Sequence, residues 1–167
     1  MDLLEGIYTR RSRRSYTDRP VDREALLEII KAGTWAPSGL NNQPWRFVTV
    51  TGREIKSEIA AQTKYSRIVD EAPACIAVFV DREDMYHELK DHQAMGACIQ
   101  NMLLAAHALD LGAVWLGEIL KKGEAVRRIL DLPDNLRLMA LICVGHPSGP
   151  AKTSHRRDHT RLLLKEL

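Results

Sequence analysis

Residues 95–111 are apolar on nearly every side at helical spacing. A helix that is hydrophobic all round has to be covered all round. A chain of 167 residues builds one domain of ordinary size, so a fully wrapped helix in it implies help from a second copy. That single stretch predicts a subunit interface. The full helical pattern around it runs over residues 83–111.

The rest of the chain alternates. Residues 2–9 read as a short helix. Asp22 is placed as an N-cap for a second helix carrying Leu26, Leu27, Ile29 and Ile30, which ends by Pro37. Strands are predicted at 46–51, 75–80, 113–116 and 138–144. Helices are predicted at 53–62, 65–71 and 123–130. The 75–80 run is apolar without interruption, as in a strand buried on both faces. No repeat or linker divides residues 1–167, so one α+β domain around a central sheet is expected.

Bulk properties narrow the function. Apolar residues make up 45% and charged residues 28%, a folded rather than disordered balance. The net charge of +2 gives no case for a nucleic-acid or membrane partner. Cys75, Cys98 and Cys143 are odd in number, lack CxxC spacing and sit among apolar neighbours. They read as reduced, buried thiols, and with no basic-then-apolar leader a cytoplasmic protein is expected.

Four segments could carry chemistry. Residues 10–19 hold five arginines and one aspartate, with Ser12 among them. Guanidinium forks match phosphate oxygens and a hydroxyl adds a donor, although a solvated basic face has the same composition. Residues 36–45, APSGLNNQPW, must form a loop that either brings backbone and amides close to a ligand or joins a helix to a strand, with Trp45 in the core. Gly112 and Gly117 have P-loop spacing, but Glu118 stands where the phosphate lysine belongs, which excludes a P-loop nucleotidase. What remains there is an ordinary turn or a strand end facing a ligand. Arg156-Arg157 marks a basic tail. There is no GxGxxG and no HExxH, and the six histidines form no convincing metal site; His107 reads as a satisfied residue of the long helix.

In order, Arg10–Arg14, residues 36–45, residues 111–117 and Gly145-His146-Pro147 before the basic tail resemble the nitroreductase family over almost the whole chain. The resemblance implies a central mixed or antiparallel sheet flanked by helices, in an intertwined homodimer with two FMN sites. It implies that Arg10, Arg11, Ser12 and Arg14 hold the FMN phosphate and ribityl chain. Pro37, Ser38 and Gly39 would lie against the flavin ring of the other subunit, with Gln43 near the cofactor. Leu116 and Gly117, with Glu118, would form the turn whose backbone N–H faces flavin N5, and Arg156 would reach the phosphate from the tail. NADH or NADPH is the implied electron donor, and nitro compounds, quinones or similar small molecules the acceptors. The chemistry then resides on the cofactor rather than on acid–base side chains.

Larger relatives, iodotyrosine deiodinase among them, carry a substrate lid. Residues 53–73 leave no room for one, so an open site is expected and tyrosine dehalogenation is not. Ser154 stands where many relatives have a second base. A specialised flavin enzyme, flavin-cleaving or dehalogenase-like, and a redox sensor without turnover are the alternatives.

Overall fold

A computed structural model describes residues 1–167. Six helices run in chain order: α1 (Leu3–Thr9), α2 (Arg23–Thr34), α3 (Arg53–Ala60), α4 (Ser66–Glu71), α5 (Glu88–Ala108) and α6 (Gly123–Ile129). Four strands, β1 (Trp45–Val50), β2 (Ala74–Asp81), β3 (Gly112–Leu116) and β4 (Leu136–Gly145), form one sheet in the order β1-β2-β4-β3. Every pairing is antiparallel.

Helices cover both faces of the sheet, which explains the uninterrupted burial of β2. On one face Ile76, Val78, Ile142 and Val144 pack against Ile29 of α2 and Met95, Ile99 and Met102 of α5. On the other, Cys75, Phe79, Leu141 and Cys143 pack against Ile59, Val69 and Val126 of α3, α4 and α6. Gly33 lets α2 and α5 close on each other, because a Cβ there would stand 2.7 Å from Met102 Cγ.

Two expectations are corrected. The long helix starts at Glu88, not at residue 83. Its backbone cannot begin earlier because the Asp91 carboxylate takes the N–H groups of Tyr86 (3.0 Å) and His87 (2.8 Å). Asp22 occupies the N-cap position of α2, but its side chain accepts no capping hydrogen bond. Within the protomer α5 is covered on part of its circumference, and its outer side keeps Gln93 and Gln100 exposed. Beside it, Leu104, Ala105 and Ala108 line an apolar groove with Leu3 and with Trp35, which is 80% exposed. No helix is long and apolar enough to cross a membrane.

Candidate functional site

The basic segment leaves α1 and runs along the free edge of β3. Ser12 bridges Ala113 in parallel register, and Arg13 N donates to Ala113 O at 2.9 Å. Gly112 is required for this approach, since a Cβ would lie 2.7 Å from Arg13 Cβ. The buried Tyr16 hydroxyl locks the far end by donating to Arg13 O (2.7 Å) and contacting Cys143 O (3.2 Å). The chain after β4 then returns over the same segment. Thr17 N donates to His146 O (2.9 Å), Ser148 N to Ser15 O (3.1 Å), and the Arg13 guanidinium to Gly149 O.

Between the segment and the returning tail lies a cavity of about 360 Å³. Arg10, Arg11, Ser12, Arg14 and Arg156 line it with residues 152–154, and no apolar side chain or carboxylate does. None of these arginines takes part in an ion pair. Burial, and then repulsion from Arg156 and Arg11, lowers the Arg10 pKa below its ordinary value. Arg11 is partly committed: its Nη1 caps the end of α1 through Tyr8 O (2.6 Å) and Arg10 O (2.9 Å). Arg156 reaches the cavity within the same protomer. The sequence pattern missed Lys152 and Thr153, which carry no local signal apart from the basic tail around them.

The loop between α2 and β1 is held in an uncommon shape. Leu40, Asn41 and Gln43 have φ of 55°, 56° and 49°, the left-handed region, which costs about 1–3 kcal/mol for each non-glycine residue. Such strain persists only where neighbours over-determine it. Ser38 Oγ accepts from Gln43 N (3.1 Å), and Gln43 Nε2 donates to Asn41 O (3.2 Å). Asn42 Nδ2 donates to Asp84 O (2.9 Å) and to Asp91 Oδ1 (2.7 Å). Gly39 abuts the Tyr86 hydroxyl, leaving no room for a Cβ. Trp45 is buried in the core, so that part of the motif is structural. Pro37, Ser38 and Gly39 line a second cavity of about 260 Å³ with Lys90, Gln93 and Ala94. It shares no lining residue with the arginine cavity.

The end of β3 supplies a third feature. Because Ala113 O points to the open edge, the alternation of a strand turns the polar groups of Trp115 to the same side. The Gly117 N–H, in the peptide plane that leaves Leu116, follows them, while Gly117 O turns into the next turn and accepts from Leu120 N (3.2 Å). Gly117 N donates no hydrogen bond within the chain, and a Cβ at Gly117 would meet nothing within 4 Å. The glycine's reason is therefore not in the packing of the protomer. The Glu118 side chain turns away and accepts from Thr63 Oγ1 (2.7 Å) and Lys64 N (3.4 Å). The Thr63 hydrogen bond, then the Lys64 N–H and the charges of Lys121 and Lys64, hold its carboxyl below the usual range against burial.

Elsewhere, His107 Nε2 lies 2.9 Å from Thr9 Oγ1, whose hydrogen goes to Glu5 O (2.7 Å). The threonine oxygen thus accepts from the ring, and the histidine is satisfied as expected. No His, Cys, Asp and Glu side chains gather into a metal-binding group. The three cysteines are free and buried.

The nitroreductase family model matches residues 7–65 and 56–146. The fold is similar to that of a Desulfovibrio desulfuricans chain assigned as a nitroreductase and solved in complex with FMN. The identity is 50%, the TM-score 0.94, and the match covers 100% of this chain and 98% of that one. A Methanothermobacter thermautotrophicus protein assigned as an NADH dehydrogenase/NAD(P)H nitroreductase is 35% identical over 170 residues, 99% of this chain and 88% of the relative. An NADPH:FMN oxidoreductase from Vibrio harveyi, complexed with NAD+, has 26% identity and a TM-score of 0.88, covering 98% of this chain and 76% of that chain.

Proposed function

The chain belongs to the nitroreductase family, and we propose that it is an FMN-dependent oxidoreductase passing electrons from NADH or NADPH to nitro compounds, quinones or similar small acceptors. The observation that carries this reading is the arginine cavity. Arg10, Arg14 and Arg156 converge there with the Ser12 hydroxyl and without any carboxylate to neutralise them. Guanidiniums brought together unpaired are costly unless an oxyanion joins them, and a phosphate monoester offers three acceptor oxygens and nearly two charges. The donor set therefore fits the phosphate of FMN.

Bound FMN would supply the hydride and electron-transfer chemistry between nicotinamide and acceptor. The chain's own part is to bind, orient and bias. Arg10, Arg14, Arg156 and Ser12 hold the phosphate, and Arg11 helps with the N–H groups its helix cap leaves free. The turn of Leu116, Gly117 and Glu118 would offer the uncommitted Gly117 N–H to the flavin, with the Glu118 carboxylate held by Thr63. Pro37, Ser38 and Gly39, with Gln43 behind them, flank the ring of the partner's cofactor. Two cavities without a common residue fit a homodimer in which each site takes its phosphate side from one copy and its loop from the other. The groove beside Trp35 and Ala108 offers apolar surface for that second copy.

The test is a visible absorption spectrum of the protein reconstituted with FMN, repeated after NADH or NADPH is added without oxygen. A bound flavin that bleaches, and reoxidises when a nitroaromatic or quinone is added, is expected. Absence of bound flavin sinks the proposal. A bound flavin that neither nicotinamide reduces moves the protein to the sensor class.

A further inference from the structure

Asp91, in the first turn of α5, is fully buried. A buried carboxylate needs a reason, because an ion without partners is expensive in a protein interior. No cation pairs with this one. Instead Oδ1 accepts from Asn42 Nδ2 at 2.7 Å, and Oδ2 accepts from Tyr86 N at 3.0 Å and His87 N at 2.8 Å. Burial pushes its carboxyl up, but the His87, Asn42 and Tyr86 donors outweigh that and hold it below the usual range.

The three donors come from two segments. Asn42 lies in the strained loop, between two left-handed residues. Its amide orientation is settled, because both N–H groups have acceptors, Asp91 Oδ1 and Asp84 O, while its Oδ1 is buried without a partner. Tyr86 and His87 belong to the stretch before α5, and the Tyr86 hydroxyl closes on Gly39 from the other side. One carboxylate therefore grips both the loop and the ring that wedges against it.

We infer that Asp91 is a positioning residue for the flavin-facing loop, fixing Pro37–Gly39 through Asn42 and the Tyr86 wall through the Tyr86 and His87 N–H groups, so that both shift together when it is lost. The inference rests on the FMN reading. An amide at 91 would keep one acceptor oxygen where three donors now converge. Alanine at 42 frees the loop and leaves Asp91 its two backbone donors.

The test compares wild type, Asn42→Ala, Asn42→Asp and the swap Asn42→Asp with Asp91→Asn. FMN affinity and the visible circular dichroism of bound FMN are measured, with far-ultraviolet circular dichroism to check the fold. Asn42→Ala should fold, bind FMN at least about tenfold more weakly and alter the flavin dichroism. Asn42→Asp, which sets two carboxylates against each other, should be worse. The swap restores the contact between positions 42 and 91 but not the bond to Asp84 O, and should recover part of both losses relative to Asn42→Asp. Should Asn42→Ala not fold, Asn42→Ser is read in its place. A folded Asn42 variant with affinity within about twofold and unchanged flavin dichroism overturns the inference. Wild type that binds no FMN overturns the cofactor reading as well, so the two failures are distinct.

Discussion

At the scale of residues, the site is governed by which charges are answered and which are not. Arg10 and Arg14 are unanswered and Arg156 meets only the neutral oxygens of Ser154 and His155, whereas the Glu118 and Asp91 carboxylates are held by N–H and O–H donors. A carboxyl whose pKa is depressed on folding stabilises the native state above its unfolded pKa, about 4.3 for glutamate. That contribution disappears as pH falls through the folded value, because the unfolded chain takes up protons first. Glu118 has such a depressed pKa. Stability of the wild type should therefore fall from about pH 4.5 downward, and less steeply in Glu118→Gln, which keeps the shape but not the charge. Urea midpoints at several acidic pH values measure this, and parallel curves would mean that Glu118 adds nothing.

At the scale of elements, the α2–α5 contact is set by Gly33. Gly33→Ala puts a Cβ 2.7 Å from Met102 Cγ and 3.1 Å from Cys98 Sγ. Overpacking of this kind costs about 1–3 kcal/mol, offset by up to about 1 kcal/mol of helix propensity. A thermal midpoint lower by a few degrees is expected in a melting curve; an unchanged midpoint would mean that Met102 swings clear. Elements with a strong period were legible before the fold was seen. The 75–80 run is β2 because both faces are covered; the Arg10–Arg14 segment and the 36–45 loop stand out by composition, while the Leu116–Glu118 turn is singled out only by the family resemblance. What stayed hidden joins residues far apart. Asn42 and Asp91 are 49 positions apart and Thr63 and Glu118 are 55, so neither pair leaves a local pattern. The start of α5 was misplaced for the same reason: the carboxylate that ends the preceding loop acts through tertiary geometry that no propensity encodes.

At the scale of the whole molecule, the proposed division of the site between two copies makes a stoichiometric prediction. Arg14→Ala removes charged hydrogen bonding worth about 1.5–3 kcal/mol and should weaken FMN binding by roughly tenfold to a hundredfold. Gly39→Val drives the loop or Tyr86 aside and should weaken it too. In a mixed dimer, co-purified with two different tags, one site combines both defects and the other combines neither. One FMN per dimer should then bind with wild-type affinity, although neither parent homodimer holds it well. Two impaired sites, one matching each parent homodimer, would mean that loop and arginines serve the same site within one copy.

The strand order carries one more consequence, for the time at which this chain can fold. β4 is the last strand in chain order, yet it lies between β2 and β3 and pairs with both. While the chain emerges from the ribosome, β2 has β1 on one side and an open hydrogen-bonding edge on the other, and β3 has no sheet to join. Unpaired edges with apolar faces invite association with other nascent chains. Completion waits for residue 145, when β4 can close the gap between β2 and β3.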